Sequence, residues 1–170
     1  MEKNIANIRL SLNRKALIAR GEKYDRYSCK IDETWIKVGG PKYHPGAKIV
    51  EAIHHYIKGR ERKNRKCMVY FHSGGGYGGS PDLFAPITNR YALEGDVDII
   101  SVQYRLAPEE KLPAGVFDGY AAVKWVLENA ESMGIHPKKI GMFGDSFGAM
   151  IAAGVGMIMA ENNEGDIIKF

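Results

Sequence analysis

The sequence is poor in cysteine and has no long apolar run. Its two cysteines, Cys29 and Cys67, are too few for the disulfide framework of a small secreted protein, and we expect both to be packing residues rather than a redox pair. The longest apolar run extends only from Ala149 to Ala160, well short of the roughly 20 residues that span a bilayer. Residues 1–20 contain no apolar block of signal-peptide length. These absences favour a cytoplasmic protein without a membrane span.

The sequence also has little excess of charge of either sign, because its formal net charge is only +4 over 170 residues. Much of this excess lies between Lys58 and Lys66, where six basic residues stand beside a single acid, Glu61. No aromatic residue interrupts the stretch, so it lacks the stacking platform expected of a protein that binds single-stranded nucleic acid. We interpret it as a solvated loop and expect no nucleic-acid partner. The composition, 45% hydrophobic and 26% charged, is typical of one soluble globular domain.

The order of apolar segments predicts an α/β fold. From residue 68 onward, short apolar runs of strand length alternate with longer segments of helical period. Such alternation is typical of a mostly parallel sheet with helices on both faces. The predicted strands are residues 49–57, 68–71, 98–103 and 139–143, and the predicted helices are residues 82–93, 115–132 and 146–160.

The first 45 residues are less regular. An amphipathic helix is predicted for residues 4–20, and two short strands around Asp32-Glu33 are predicted within Tyr27–Val38. Residues 49–57 also fit a helical period, although we favour the strand. We therefore predict a single domain over residues 1–170, with an N-terminal arm or cap in residues 1–45 and the core in residues 46–170.

A five-residue motif, Gly144-Asp145-Ser146-Phe147-Gly148, fits the pattern G-x-S-x-G between a predicted strand and a predicted helix. Its glycines permit a strained turn that lifts the serine hydroxyl out of the backbone. The following helix directs its N-terminal N–H groups and its dipole toward developing negative charge. A pattern with three fixed positions also arises by chance, but its place between strand and helix favours a nucleophile elbow with Ser146 as the nucleophile.

A second glycine-rich motif, His72-Ser73-Gly74-Gly75, directly follows the predicted strand Met68–Phe71. In lipases and esterases, an H-G-G-G loop at this place brings backbone N–H groups to the acyl oxygen of the substrate. Glycine is required there because a β-carbon would block the close approach. The motif therefore predicts a loop that stabilises an oxyanion.

Three motifs in this order resemble the hormone-sensitive-lipase-like family of esterases. That family is marked by an H-G-G-G loop, a Y-R-L-A-P-E segment and a G-D-S-A-G-G elbow, which correspond here to His72–Gly75, Tyr104–Glu109 and Gly144–Ala149. The resemblance implies an α/β-hydrolase fold, a small-molecule ester substrate with a short acyl chain, and neither a cofactor nor a metal. The residues that it implies are Ser146 as nucleophile, the N–H groups of Gly74, Gly75 and Phe147 as the oxyanion hole, His72, Gly144, Asp145 and Gly148 as motif support, and Asp118 and Trp125 as helix-packing residues.

The sequence departs from that family at four points. Ser73 replaces the first glycine of the loop, Phe147 replaces a small residue and is expected to crowd the acyl site, and Ala149 replaces the last glycine of the elbow. The fourth departure concerns the catalytic triad, whose acid and histidine follow the serine along the chain in this fold. Only 24 residues follow Ser146, and all five histidines precede it. We therefore expect a truncated chain that lacks the final strands, is inactive alone and self-associates through an exposed sheet edge.

Two other functions stay open on the sequence alone. Gly74–Gly79 also fits G-x-G-x-x-G after a strand, with Asp96 about 20 residues further on, as in dinucleotide-binding modules. Against this, Ser80-Pro81 delays the helix that should start within the motif. The other candidate is a non-catalytic ligand-binding descendant, because the esterase family includes a hormone receptor without a full triad. A metal site at His54-His55 is unfavourable, since neighbouring strand residues face opposite sides of a sheet.

Overall fold

The computed structural model describes residues 27–166 and residue 168, and the helix predicted for residues 4–20 lies outside them. Every strand and helix predicted from residue 49 onward is present, with ends shifted by a few residues. No helix in the described part of the chain is long and apolar enough to cross a bilayer. The elements are β1 (Ile31–Gly39), β2 (Ile49–Ile57), β3 (Arg65–Phe71), α1 (Pro81–Gly95), β4 (Asp98–Val102), α2 (Ala114–Asn129), a 3₁₀ turn (Glu131–Met133), β5 (Ile135–Gly144) and α3 (Phe147–Glu161).

The five strands form one sheet in the order β1-β2-β4-β3-β5. β2 is antiparallel to both β1 and β4, whereas β4, β3 and β5 run parallel. Phe71, the last residue of β3, pairs with Val102 of β4 and Gly144 of β5. The three parallel strands therefore end side by side, and the loops that carry both glycine motifs leave the sheet at this common edge.

Helices cover both faces of the sheet, as predicted. Val69 and Phe71 of β3 belong to a large buried cluster that includes Val123 of α2 and Val155 of α3. Tyr70, which points to the opposite face, belongs instead to a second cluster with residues of α1. Burial of these apolar side chains, worth about 25 cal/mol per Å², fixes the helices on the sheet and with them the loops at the edge.

One continuous strand, β1, replaces the two short strands predicted within residues 27–38, so that prediction is wrong. The acidic pair Asp32-Glu33 does not break the strand because both carboxylates have partners. Glu33 Oε1 accepts a 2.6 Å hydrogen bond from Asn89 Nδ2, and Asp32 Oδ1 lies 3.8 Å from Lys58 Nζ. The boundary at residue 45 between an arm and the core stays a prediction.

The two cysteines differ in their surroundings. Cys67 in β3 is fully buried, which confirms its predicted packing role, and burial raises the pKa of its thiol well above the usual value. Cys29 lies in the turn before β1 and is exposed, so the packing role predicted for it is wrong. In the sequence, Cys67 is followed by the apolar residues Met68 and Val69, whereas Cys29 stands between Ser28 and Lys30.

Candidate active site

Ser146 lies in the sharp turn between β5 and α3 and is exposed to solvent. Its backbone has φ +51° and ψ −115°, a conformation that costs a non-glycine residue about 1–3 kcal/mol. The flanking glycines make this turn possible. A β-carbon at Gly148 would lie 1.9 Å from the carbonyl oxygen of Phe71, and one at Gly144 would lie 2.4 Å from the carbonyl of Gly148. The turn therefore packs directly on the end of β3, and this packing holds the strained serine in place.

Asp145 ties the same turn to β3 through its side chain. Its Oδ2 accepts a 2.7 Å hydrogen bond from the hydroxyl of Tyr70, a side chain that is fully buried. Burial, and next the bond to Asp145, raise the pKa of Tyr70, so the phenol stays protonated and donates. The sequence did not indicate this role for Tyr70, because only the β3–β5 register brings the two residues together.

The predicted oxyanion loop connects β3 to α1. Its turn is closed by two backbone hydrogen bonds, in which Tyr77 N and Gly78 N donate to Gly74 O at 3.2 and 3.0 Å. Gly74 has φ +132°, and a β-carbon there would lie 2.1 Å from Gly78 O. Only glycine fits this position, as the motif predicted.

The predicted oxyanion hole consists of backbone N–H groups that are free to bind a ligand. Across the described residues, the N–H groups of Gly74, Gly75 and Phe147 donate no hydrogen bond to another part of the protein. Phe147 is the first residue of α3, so its N–H lies at the positive end of the helix dipole. The loop and the elbow meet at Gly76, where an added β-carbon would lie 2.5 Å from Phe147 Cζ.

His72, the first residue of the loop motif, is fully buried. Its ring stacks between Tyr104 and Phe84, with centroid distances of 4.5 and 5.8 Å. The Nδ1–H group donates to Ser73 O at 2.8 Å, while Nε2 has no partner among the described residues. Burial penalises the imidazolium and lowers the pKa of His72 to about 4, so the ring is neutral near pH 7.

The segment Tyr104–Glu109 is linked to the loop by two hydrogen bonds. The Tyr104 hydroxyl donates to His72 O at 2.5 Å, and Ala107 N donates to Gly76 O at 2.7 Å. Arg105 anchors the segment to α2, since its Nε and Nη2 donate to the two carboxylate oxygens of Asp118 at 2.7 and 2.8 Å. The sequence resemblance gave Asp118 a helix-packing role. In the structure it is a buried charge partner of Arg105 and also accepts from Arg105 N and Lys48 N.

A pocket of about 240 Å³ opens where the loop meets the elbow. Its lining includes Gly75, Gly76 and Phe147, together with Arg105, Ala107 and Gly115. The pocket therefore lies beside Gly75 and Phe147, two of the residues of the predicted oxyanion hole.

No histidine of the described residues hydrogen-bonds to Ser146. His54 and His55 face opposite sides of β2, as expected from strand geometry, and no group of three potential metal ligands occurs within residues 27–166. Glu164, one of the acids after Ser146, accepts from Tyr120 and Lys124 instead. The partners of the remaining histidines are Gly46 N for His44, Asp98 for His54, Asn89 for His55 and Lys138 N for His136.

The glycine-rich turn does not fit the dinucleotide alternative. α1 begins only at Pro81, after the motif, and Ser80 caps it by accepting from Leu83 N. The N-terminus of α1 is therefore separated from Gly74–Gly79, whereas a dinucleotide motif places its pyrophosphate on a helix that starts within the motif.

A mixed sheet with helices on both faces, and a strained serine turn leading from a parallel strand into a helix, define the class of α/β hydrolases. Residues 68–170, more than half of the chain, match the sequence profile of a family described as having the α/β-hydrolase fold. The chain belongs to this family, and the resemblance seen in the three motifs is confirmed.

Several relatives of the chain are named as esterases. It is 42% identical over 92 residues to a carboxylesterase of Mycobacterium tuberculosis, a match that covers 54% of this chain and 29% of the relative. It is 34% identical over 102 residues to an arylesterase of Saccharolobus solfataricus, covering 60% of this chain and 33% of the relative. The chain thus spans about a third of these curated relatives.

Solved structures show the same relation. A hyperthermophilic esterase from the archaeon Pyrobaculum calidifontis superposes with a TM-score of 0.81 at 27% identity, covering 97% of this chain and 49% of the other. A bacterial heroin esterase gives a TM-score of 0.80 at 25% identity, covering 95% of this chain and 49% of the other. The fold described above therefore corresponds to about half of a known esterase chain.

Proposed function

We propose that the chain carries the nucleophile and the oxyanion hole of a serine carboxylic ester hydrolase. The supporting observation is the meeting of two distant motifs. The strained, exposed Ser146 directly precedes Phe147, whose ring lies against Gly76 of the loop, and Gly74, Gly75 and Phe147 have N–H groups without a hydrogen-bond acceptor among the described residues. The chain also belongs to a family with carboxylesterase relatives, which supports the same reaction class.

In the proposed reaction, Ser146 Oγ attacks the ester carbonyl while a general base takes the hydroxyl proton. The carbonyl oxygen becomes an oxyanion that accepts hydrogen bonds from the loop and elbow N–H groups. The intermediate then collapses, the alcohol leaves with a proton returned by the base, and the acyl group stays on Ser146. Water hydrolyses this acyl-enzyme in a second passage through the same oxyanion hole.

The general base and its acid partner are part of the proposal and come from outside the 170 residues. The support is that each of the five histidines makes other contacts, and that His72, the first residue of the loop motif, is buried between two aromatic rings. The chain alone is then a poor catalyst, because a serine hydroxyl without a base is a weak nucleophile. The cytoplasmic location and the absence of a nucleic-acid partner stay predictions.

A second candidate is a ligand-binding protein without catalysis. The observation in its favour is that no imidazole in the described part of the chain reaches Ser146. In that case the pocket beside Phe147 would bind a small molecule, and adding a base would not create turnover.

A fusion enzyme separates these candidates. It joins residues 1–170 to the C-terminal part of a carboxylesterase relative, beyond the region that this chain matches, so that the relative supplies the triad acid and histidine. We expect hydrolysis of p-nitrophenyl acetate or butyrate, and we expect Ser146→Ala to abolish it. Turnover that survives Ser146→Ala would show that another residue is the nucleophile. A folded fusion that binds the ester without turnover would support the ligand-binding candidate.

A further inference from the structure

The ring of Phe147 occupies the space between the elbow and the oxyanion loop. An added β-carbon at Gly76 would lie 2.5–2.9 Å from three of its ring atoms, so the ring rests against the loop backbone. On another side it stacks on Tyr104, with ring centroids 6.4 Å apart and planes 26° apart. Contacts on two sides thus position the ring between the loop backbone and Tyr104.

The same ring forms one wall of the 240 Å³ pocket. On one side the other walls are rigid, whereas Leu112 and Lys111 form an exposed part of the lining. Gly76 is buried loop backbone, and a β-carbon at Gly115 would already lie 2.9 Å from Arg105 O. Arg105 itself is held by the carboxylate of Asp118. The pocket is also smaller than the roughly 300–1,000 Å³ that small-molecule sites commonly have.

Phe147 is the residue after the nucleophile, and its own N–H belongs to the proposed oxyanion hole. The acyl carbon is bonded to Ser146 in the acyl-enzyme, so the start of the acyl chain must lie close to this ring. From these contacts we propose that Phe147 is the specificity-determining residue that limits the acyl chain to short lengths, roughly that of butyrate. The inference rests on the proposed function for the identity of the ligand and goes beyond it in assigning the size limit to one side chain.

Physical reasoning gives the expected binding profile. A methylene group transferred from water into an apolar pocket tightens binding by about three- to fourfold. With Phe147 in place, chain atoms beyond the pocket lie on the surface and add little. Affinity for methyl esters should therefore rise from acetate to butyrate and then stay flat for hexanoate and octanoate. In Phe147→Ala the affinity should continue to rise up to hexanoate, by about three- to fourfold for each added methylene group.

The test is a saturation-transfer NMR titration of the 170-residue chain with methyl acetate, butyrate, hexanoate and octanoate. Signals are read on the small ester, so the measurement tolerates self-association of the protein. Phe147→Leu serves as a second variant with an intermediate limit, in case Phe147→Ala unfolds. Met157→Ala is the matched control, because Met157 is 66% exposed on α3 and does not line the pocket, and its profile should equal that of the unmodified chain.

An identical profile in the unmodified chain and both Phe147 variants overturns the proposal, as does the absence of binding for every ester. A change of the chain-length limit in Met157→Ala also overturns the proposal, since the limit would then reflect adsorption of the ester to exposed apolar surface instead of binding in the pocket. Hydrolysis is tested separately in the fusion enzyme. A folded fusion that binds the ester without turnover, together with an intact shift of the chain-length limit, would refute the proposed function and retain Phe147 as the size limit of a binding pocket.

Discussion

Ser146 shows how a single strained residue is stabilised by its neighbours. The left-handed φ of +51° is unfavourable for serine, yet the turn has little freedom because Gly148 and Gly144 pack against the end of β3. The pattern G-x-S-x-G predicted this turn, since only glycine permits such contacts. The hydrogen bond from Tyr70 to Asp145 could not be predicted, because the spacing of the two residues along the chain gives no sign of the β3–β5 register.

Gly74 offers a test of the oxyanion loop in the fusion enzyme. In Gly74→Val the new side chain would collide with Gly78 O, and the loop N–H groups would leave the positions at which they can bind an oxyanion. We expect kcat to fall by about 10² or more, as when one oxyanion donor is removed. Steady-state kinetics with p-nitrophenyl butyrate provide the measurement.

Ser73→Gly is the matched control for this prediction. Ser73 contributes its carbonyl oxygen to His72, and a glycine retains that oxygen. Activity of the control should stay close to that of the parent. Full activity in both variants would contradict a role of the loop in binding the oxyanion.

At the scale of elements, the segment Tyr104–Glu109 is held on α2 by a buried ion pair. In Asp118→Ala, Arg105 would retain only the more distant Glu110 as a charged neighbour, at 3.6 Å. Breaking a buried pair in this way typically costs about 3–5 kcal/mol. We expect a loss of this size in the free energy of unfolding, measured by urea denaturation.

Lys58→Ala serves as the control, because it removes an exposed ion pair where Asp118→Ala removes a buried one. Lys58 lies 3.8 Å from Asp32, and both side chains are about half exposed, so we expect a change of no more than about 1 kcal/mol. Equal effects of the two substitutions would contradict a special role of Asp118 in holding the segment.

The elements also show what the sequence could not indicate. The strand β2 was predicted correctly although residues 49–57 also fit a helix, but its burial does not alternate, because the four residues from Ala52 to His55 are all buried. The interruption predicted at Asp32-Glu33 was wrong, since the partners of those carboxylates, Asn89 and Lys58, come from distant parts of the chain. Asp118 was likewise assigned to packing because its charge partner is defined only by tertiary structure.

The whole molecule has an apolar surface on the side of β5 and α3. Among the described strands, β5 pairs only with β3, so its outer edge has free backbone groups. No charged residue occurs in α3 before Glu161, and its outer face carries Met150 and Met157, which are 58% and 66% exposed. A helix that is apolar all round is normally buried, so this face favours association.

We therefore predict that the 170-residue chain self-associates. Light scattering should give a mass above the 18.9 kDa of the monomer, and the double variant Met150→Lys, Met157→Lys should move the distribution toward the monomer. Trp35→Lys on β1 is the control, because Trp35 is also about half exposed but lies at the other edge of the sheet. A monodisperse monomer of the unmodified chain would contradict the prediction.

The most direct measurement of the central claim is the rate at which a fluorophosphonate labels Ser146. In the fusion enzyme, labelling should be rapid and stoichiometric, and mass spectrometry of the digested protein should place the adduct on Ser146. In the 170-residue chain alone, labelling should be very slow, because the oxyanion hole is present but the hydroxyl has no base. Rapid stoichiometric labelling of the chain alone would contradict the account and would mean that a residue such as His72 serves as the base. An adduct on any other residue would refute Ser146 as the nucleophile.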